Sequence, residues 1–312
     1  MQFSLSEDQS VILAALDRIL EGRAPPANDG HAYVRYDAAL RQELAEGGFL
    51  AIAGEDGFGQ LEGALLVERV ARCAVSVEAG ASALVGPSLG IDATQPLALC
   101  EGIGRPTRYL SVAGYVCVRE DNALWLAKVG SNDVEKVDTV LAYPIGVLRS
   151  LPAGATRIPQ ETISSVLARW RVSLAAEAAG LMRGALDATV GYVKERRQFG
   201  RPLGDFQAIQ HRLAICEQVV SASYLLAMRA AATLTEHDIA TAIAYVQQHM
   251  RTLVYDCHQF TGAMGVTIEY PLHLWTYRLK FLQGELGGRT AQTLRVSRAS
   301  WPSSWSETQS AL

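Results

Sequence analysis

Residues 195–210 combine side chains that could bind a phosphorylated ligand with a flat ring. A long apolar-periodic segment ends at Arg197, Pro202 marks a turn, and a second helical pattern begins at Asp205, a good N-cap residue. Arginines and aromatic side chains therefore cluster where two helices meet. Because an arginine fork binds phosphate and a neighbouring ring can cover a flat base, the cluster suits a dinucleotide. The alternative is a solvated helix hairpin whose arginines pair with Glu195 and Asp205.

Two blocks of the sequence resemble the acyl-CoA dehydrogenase family, the FAD-dependent enzymes that desaturate acyl-CoA thioesters. The first block is the segment just described. The second, residues 259–271, is similar to the family's Gln-x-x-Gly-Gly-x-Gly segment followed by Glu-Tyr-Pro. Residues 3–9 resemble the family's first helix, and residues 44–59 resemble the turn after its second helix. The resemblance is strong over residues 160–290 and weak over the middle of the chain.

The resemblance implies that both blocks contact FAD. In this family each FAD lies between two subunits, and the two blocks of one chain hold the FAD that sits mainly in its neighbour. Arg196 is expected to bind the pyrophosphate, and Gly262 to allow close approach of the backbone, or else to be a helix C-cap glycine. Ala263 replaces the family's second glycine. The implied cofactor-binding residues are Arg196, Gln198, Phe199, Leu203, Phe206, Gln207, Gln259, Gly262 and Ala263.

The family's catalytic glutamate has no clear counterpart in this chain. One family position for this base, in a Tyr-Glu-Gly-Thr motif, falls at Leu286 or a neighbour, one residue from Glu285. The other falls on Trp170, which cannot act as a base, and Glu177 lies two turns further along the same helix. A one-residue shift on a helix turns a side chain by about 100°, which would point Glu285 away from the thioester unless the local backbone differs from a helix. We therefore expect the chain to supply no catalytic residue.

The middle of the chain lacks another family feature. Nothing in residues 87–159 resembles the Thr-Glu-Pro loop with Gly-Ser-Asp that contacts the flavin ring. The chain therefore resembles the degenerate subunit of α2β2 enzymes linked to steroid side-chain breakdown. Such a subunit implies a full-length acyl-CoA dehydrogenase homologue as partner, an acyl-CoA substrate and an electron-transfer flavoprotein as electron acceptor. Two alternatives stay open: a self-sufficient homotetramer that uses Glu285, and a helical scaffold that has lost FAD.

The order of secondary-structure patterns predicts a mostly α fold with a small β middle domain and a C-terminal four-helix bundle, as in acyl-CoA dehydrogenases. The predicted domains are 1–86 (helical), 87–159 (reduced β), 160–297 (helical bundle) and 298–312 (polar tail). Within them we predict helices at 7–21, 37–47 and 61–85, a short fourth bundle helix at 272–286, and strands at 109–118, 123–127 and 139–143.

The composition predicts a globular protein that contacts neither nucleic acid nor membrane. Of 312 residues, 49% are hydrophobic and 19% charged, and the net charge is −4. No apolar run approaches the roughly 20 residues that span a bilayer, and no signal peptide is recognisable. The five cysteines are odd in number and form no CxxC, so we expect reduced thiols in a cytoplasmic protein. The six histidines form no ligand set, so no metal site is expected.

Overall fold

The computed structural model describes residues 4–21, 23 and 33–301. It is mostly helical with a small β region in the middle, which confirms the predicted fold class. The helices are α1 (Glu7–Leu20), α2 (Ala38–Glu46), α3 (Gln60–Ala71), α4 (Gln160–Glu195), α5 (Gln207–Thr233), α6 (Glu236–Thr261), α7 (Ala263–Val266), α8 (His273–Leu282) and α9 (Gly288–Ser300). The strands are β1 (Leu97–Cys100), β2 (Thr107–Arg108), β3 (Tyr115–Glu120), β4 (Ala123–Lys128), β5 (Val134–Val137), β6 (Ile145–Leu148), β7 (Thr156–Arg157), β8 (Arg197–Gln198) and β9 (Arg201–Pro202).

The first two helices begin where local chemistry predicts. A capping box precedes α1: the Ser6 hydroxyl accepts from the Gln9 amide at 3.1 Å, and the Gln9 side chain accepts from the Ser6 amide at 2.9 Å. At the start of α2 the Asp37 carboxylate accepts from the Leu40 amide at 2.8 Å. Each cap satisfies backbone donors that the first helical turn leaves free, so both boundaries follow from residues three apart.

The predicted single helix over residues 61–85 is wrong in its second half, because the chain leaves the helical path after α3. Two buried side chains of α8 donate hydrogen bonds to backbone carbonyls of residues 72–75, which follow α3. The Trp275 indole donates at 2.8 Å, and the Arg278 guanidinium donates at 2.7 and 3.1 Å. A π-helical turn, Ala81–Val85, is what remains of the second half. The break depends on partners about 200 residues away in sequence, which local periodicity does not reveal.

The β region consists of two small sheets, ordered β1-β3-β4-β7 and β2-β6-β5. A two-residue turn joins β3 and β4, with Asp121 and Asn122 at φ 48° and 60°, as a type I′ hairpin requires. The predicted strand at 139–143 is wrong, because this segment is the connection between β5 and β6. The predicted strand at 109–118 is only partly right: Tyr109 has φ 64° and starts a 3-10 turn before β3.

The C-terminal half packs α4, α5 and α6 as consecutive antiparallel helices, with α8 against α4 and α9 against α6. The predicted fourth helix over 272–286 corresponds to α8, which ends four residues earlier, at Leu282, and a turn separates it from α9. Helix α9 carries little apolar periodicity, since Gln292 is its only described buried residue, and the sequence analysis missed it. It extends three residues into the expected polar tail, while residues 302–312 lie outside the described residues.

The change from helix to strand falls between residues 89 and 97, and the return to helix at Gln160, near the predicted domain limits. The division into domains itself stays a prediction.

In the described part of the chain no helix is long and apolar enough to cross a membrane. The same residues include no group of three or more His, Cys, Asp and Glu side chains placed to hold a metal ion.

Candidate cofactor-binding site and a buried ion-pair cluster

The helical packing brings the two sequence blocks to one end of the bundle. Because α5 returns between α4 and α6, the C-termini of α4 and α6 and the N-terminus of α5 share that end. Arg212 near the start of α5 pairs with Asp256 near the end of α6 at 2.6 Å. The Tyr270 hydroxyl in the second block donates to the Ala188 carbonyl of α4 at 2.6 Å. We call this part of the molecule the block end, defined by residues 195–210 and 259–271.

The first block forms a small hairpin between α4 and α5. Strands β8 and β9 pair in antiparallel register, and the turn between them places Phe199 at φ 54° and Gly200 at φ 81°. This pairing ends α4 at Glu195, two residues before the predicted end. The predicted N-cap Asp205 lies instead in a 3-10 turn, Leu203–Asp205, and α5 begins after Phe206.

The arginines of the hairpin do not pair with the neighbouring carboxylates. The Arg201 guanidinium lies over the Phe206 ring, 4.0 Å from its centroid, and Arg197 donates to the Gly200 carbonyl at 3.3 Å. Arg196 is exposed, and in the part of the chain that the structure describes no carboxylate pairs with it. The alternative of a hairpin closed by surface ion pairs is therefore not what the structure contains.

All nine predicted cofactor-binding residues lie at the surface of the block end. The Phe199 side chain is 90% exposed, at the tip of the hairpin. Seven of the nine are exposed, namely Arg196, Gln198, Phe199, Gln207, Gln259, Gly262 and Ala263, and two are half-buried, namely Leu203 and Phe206. The structure thus brings the predicted residues together on one open surface, and their binding role stays a prediction.

Gly262 ends α6 in a backbone conformation that only glycine adopts easily, with φ 58° and ψ −141°. Its amide donates to the His258 carbonyl at 2.9 Å, so it is a helix C-cap, as the alternative interpretation held. A Cβ built on Gly262 would meet no atom within 4 Å. The space in front of Gly262 is therefore open to a ligand as well.

We expect Gly262→Val to prevent FAD binding in the assembled protein. A branched residue at this positive φ costs about 1–3 kcal/mol, and its methyl groups would stand where a cofactor must approach. Flavin absorbance per mole of protein measures the effect. Two further variants serve as comparisons for Gly262→Val. Gly262→Ala carries similar backbone strain with less bulk, and Ala263→Gly restores the family's second glycine. Equal flavin loss in the Val and Ala variants would mean that Gly262 serves only the helix end.

A buried ion-pair cluster lies between the β region and the helices. Arg108 on β2 donates to Glu177 on α4 at 2.5 Å and to Glu285, between α8 and α9, at 2.7 Å. The hydroxyls of Tyr143 and Tyr109 also donate to Glu177, at 2.8 and 3.3 Å. The side chains of Arg108, Glu177 and Glu285 are 8%, 6% and 12% exposed. We call these five residues the Arg108 cluster.

Sequence reasoning missed Arg108 and both tyrosines, and the expectation that Glu285 is not catalytic stays a prediction. A one-residue shift turns Glu285 away from the thioester only if the segment is a continuous helix. The segment is instead a 3-10 turn, Glu285–Gly287, in which Leu286 has φ 56°, and the carboxylate points inward. No local pattern could have revealed the contact, because Arg108 and Glu285 are 177 residues apart.

The burial of Glu285 changes its acid–base chemistry. Burial raises the pKa of Glu285 to about 7, against the opposing effect of the Arg108 guanidinium. Burial also raises the pKa of the Tyr109 and Tyr143 hydroxyls, so both stay protonated donors. A cavity of about 260 Å³ adjoins this carboxylate and is lined by Leu99, Glu101, Arg105, Pro106, Thr107, Phe281, Gly284 and Glu285. A carboxylate with this pKa beside a cavity has the properties of a general base.

Trp170, at the other family position, is buried in the core.

Comparisons with known sequences identify the C-terminal half. Residues 161–300 match the family model of the acyl-CoA dehydrogenase C-terminal domain. Acyl-CoA dehydrogenase FadE34 of Mycobacterium tuberculosis is 36% identical over 158 residues, which cover 48% of this chain and 22% of that protein. Acyl-CoA dehydrogenase IpdE2 of Mycolicibacterium smegmatis is 26% identical over 293 residues, which cover 88% of this chain and 93% of that protein. The chain thus spans about a fifth of the length of FadE34.

Solved structures show the same fold over nearly the whole chain. The ChsE4-ChsE5 complex of Mycobacterium tuberculosis matches with a TM-score of 0.80 at 22% identity, covering 96% of this chain and 98% of the other. The Tcur3481-Tcur3483 steroid ACAD matches with a TM-score of 0.81 at 23% identity, covering 96% and 99%. Acyl-CoA dehydrogenases are FAD-dependent flavoproteins. Residues 161–300 therefore belong to the acyl-CoA dehydrogenase C-terminal domain family, and the chain as a whole has the fold of acyl-CoA dehydrogenases.

Proposed function

We propose that the chain is a subunit of an FAD-dependent acyl-CoA dehydrogenase that completes the FAD site of a full-length partner subunit. The observation that carries the proposal is the position of the two sequence blocks. They lie together at the block end, on the outside of the chain, where a cofactor held by another subunit could reach them. The interior between the β region and the helices instead contains the Arg108 cluster and the cavity of about 260 Å³ beside it.

The surface around the block end supports a covering partner. Four large apolar side chains on or beside it are exposed: Phe199 by 90%, Val266 by 65%, Tyr255 by 64% and Ile215 by 49%. The Arg212–Asp256 ion pair links α5 and α6 next to Ile215 and Tyr255. Apolar groups gathered at one place on a surface mark an interaction site, because covering them removes apolar area from water.

The residues of the block end fit the distal half of FAD. Arg196 offers an arginine fork that no carboxylate occupies within the described residues, which suits a pyrophosphate. The exposed Phe199 ring can cover a flat base, and the open side of Gly262 lets backbone approach a ligand. When bound, FAD would supply the hydride acceptor for α,β-desaturation of the thioester. The chain's own role would be to hold and orient the cofactor's distal end.

The proposed assembly is an α2β2 heterotetramer that acts on a bulky acyl-CoA, such as a steroid side-chain ester. The support is the likeness in fold to the ChsE4-ChsE5 complex and to a steroid ACAD, together with the incomplete flavin half-site of this sequence. An electron-transfer flavoprotein would accept the electrons. We place the protein in lipid metabolism on the same grounds, and in the cytoplasm because its five cysteines are free thiols.

Expression of the chain alone and together with a full-length homologue from a neighbouring gene tests the proposal. The expected result is a colourless chain alone and a yellow, flavin-containing complex when the two are expressed together. A yellow chain made alone would overturn the proposal in favour of a homotetramer. A complex that stays colourless would leave a helical scaffold as the function.

The second candidate function is a self-sufficient dehydrogenase in which Glu285 is the catalytic base. The observation that favours it is the buried Glu285 carboxylate beside a cavity of about 260 Å³, with a pKa raised to about 7 by burial. Against it, one carboxylate oxygen of Glu285, Oε1, accepts a hydrogen bond from Arg108, which cannot give up its own proton.

Glu285→Gln distinguishes the two candidates. If the partner subunit supplies the base, we expect turnover of the flavin-loaded complex to change by less than about threefold. If Glu285 is the base, its loss should lower the rate by about 10²- to 10⁴-fold. Steady-state dehydrogenation of an acyl-CoA with an artificial electron acceptor measures it, with flavin content as the control for assembly. A rate lost by orders of magnitude with FAD still bound would make this chain catalytic.

A further inference from the structure

A groove with an apolar floor and two cations at its rim lies between α6 and α8. The cavity in it has a volume of about 360 Å³. Six of its lining residues define what we call the α6–α8 groove: Met250, Arg251, Val254 and Tyr255 of α6, and Leu279 and Lys280 of α8. We propose that this groove is a docking surface for a segment of the partner subunit in which carboxylates flank apolar side chains. The inference rests on the proposed function, because it assigns part of the surface that the partner covers.

The floor of the groove is apolar and belongs to the main hydrophobic core. Met250 and Leu279 are 1% and 0% exposed, and the half-buried Val254 packs against the same core. Met250 and Val254 are four residues apart on α6, so they face the same side of the helix. Tyr255, at the edge of this floor, is 64% exposed. Covering such a floor and edge with another apolar side chain removes apolar area from water.

The two cations at the rim have no carboxylate partner in the part of the chain that the structure describes. Arg251 and Lys280 are both exposed, and neither forms an ion pair with a described carboxylate. The exposed Arg212 of α5, by contrast, pairs with Asp256 at 2.6 Å. The charges of Arg251 and Lys280 are therefore free to meet carboxylates that come from another chain.

A third cation extends the positive rim towards α9. The Arg289 guanidinium donates to the side-chain oxygen of Gln248, about one helical turn before Arg251, at 2.6 Å. Because this acceptor is a neutral amide, the contact does not cancel the charge of Arg289. The chain as a whole has a net charge of −4, so the rim is locally opposite in sign to the molecule. Such a local field attracts an acidic segment and repels a basic one.

The groove continues into the surface beside the block end. Tyr255 belongs both to the groove and to the exposed apolar side chains near the block end, which include Ile215 and Val266. The Arg212–Asp256 ion pair holds together the two helices that carry Ile215 and Tyr255. A small ligand in the groove would leave Ile215 and Val266 in water, whereas one partner surface covers all of these side chains. The continuity therefore favours a protein segment as the occupant.

Docking in the groove and cofactor binding depend on different residues. None of the nine candidate cofactor-binding residues lines the groove. Reversing a charge of the groove should therefore weaken assembly, while the complex that still forms should keep the flavin content of the wild type. Arg196→Ala should instead lower the flavin content.

Charge reversal at the rim tests the docking surface. Arg251→Glu and Lys280→Glu are each expected to raise the dissociation constant of the complex with the full-length homologue about tenfold or more, since each would oppose like charges. Dilution of the purified complex, followed by mass photometry, measures this constant. Lys128→Glu is the matched control, because it changes the net charge equally on β4, where Lys128 lies over the Tyr115 ring. Its dissociation constant should stay near the wild-type value.

The salt dependence of assembly gives a second measurement that needs no variant. Raising the salt concentration from about 50 to about 500 mM should weaken the wild-type complex, because salt screens the attraction between rim cations and partner carboxylates. If a reversal variant fails to fold, Arg251→Gln and Lys280→Gln remove each charge without reversing it, and both should reduce the salt dependence.

The possible outcomes separate this inference from the proposed function. Wild-type dissociation constants in both reversal variants would overturn the docking surface and leave the proposed function intact. A chain that does not associate with the homologue at all would overturn both. A chain that dimerises by itself and loses this property in Arg251→Glu would mean that a second copy occupies the groove, which would overturn the assignment to the partner.

Discussion

Replacing Arg196 with alanine is expected to weaken FAD binding by the assembled protein about tenfold to a hundredfold, since hydrogen bonds to charged groups contribute about 1.5–3 kcal/mol. Arg196 is exposed at the end of α4, and no carboxylate within the described residues competes for its guanidinium. The substitution leaves the buried bundle untouched, so the loss should appear in flavin content and not in stability. Titration of the flavin-depleted complex with FAD, followed by fluorescence, gives the affinity directly.

Two neighbouring arginines provide matched controls for Arg196. Arg197 donates to the Gly200 carbonyl within the hairpin, and Arg201 lies over the Phe206 ring. Both guanidinium groups have contacts inside the chain, so alanine at either position should reduce FAD affinity less than Arg196→Ala does. Wild-type affinity in Arg196→Ala would remove the pyrophosphate role, and equal losses at all three positions would indicate a general charge effect.

Gly180→Ala is expected to destabilise the protein by about 3 kcal/mol or more, at or above the upper end of the usual overpacking range, because backbone must move. A methyl group on Gly180 of α4 would lie 2.1 Å from the Glu68 carbonyl oxygen of α3 and 2.8 Å from the Ala71 Cβ. Neither atom belongs to a flexible side chain, so α3 and α4 would have to separate. The measurement is the denaturant midpoint or the thermal unfolding temperature of the purified protein.

The same helix contains the control for Gly180. Gly191 also lies within α4, but a Cβ there would meet no atom within 4 Å. Gly191→Ala should therefore stabilise the protein by about 0.5–1 kcal/mol, because alanine loses less backbone freedom in a helix than glycine. If both substitutions stabilised the protein, α3 and α4 would not approach as closely as the structure places them.

The candidate FAD-binding residues could be predicted from the sequence. That the two blocks lie at the same end of the bundle could not be tested from the sequence. The two blocks carry their signals in short segments, since arginines, glycines and aromatic residues at fixed spacing resemble one family's motifs. That both blocks share one end of the bundle follows from the antiparallel path of α4, α5 and α6. The exposure of Phe199, which supports a partner subunit, is a property of the folded chain alone.

The sequence by itself determined the features that depend on residues close together in the chain. The capping box at Ser6 and Gln9, the N-cap Asp37 and the turn at Asp121 and Asn122 all arise within four residues, and the structure contains each of them. The long periodic helices and the small β region follow from the same local patterns.

Only the tertiary structure decided where α3 ends, that α9 exists, and that Glu285 faces inward. Helix α3 stops where Trp275 and Arg278 take the next carbonyls, and Glu285 is held by Arg108, 177 residues away. Each of these features depends on a partner brought close by packing, and the backbone adapts to it, as the φ of 56° at Leu286 shows. Local periodicity carries no information on such contacts, because burial and charge pairing between distant segments override the preferences of short segments.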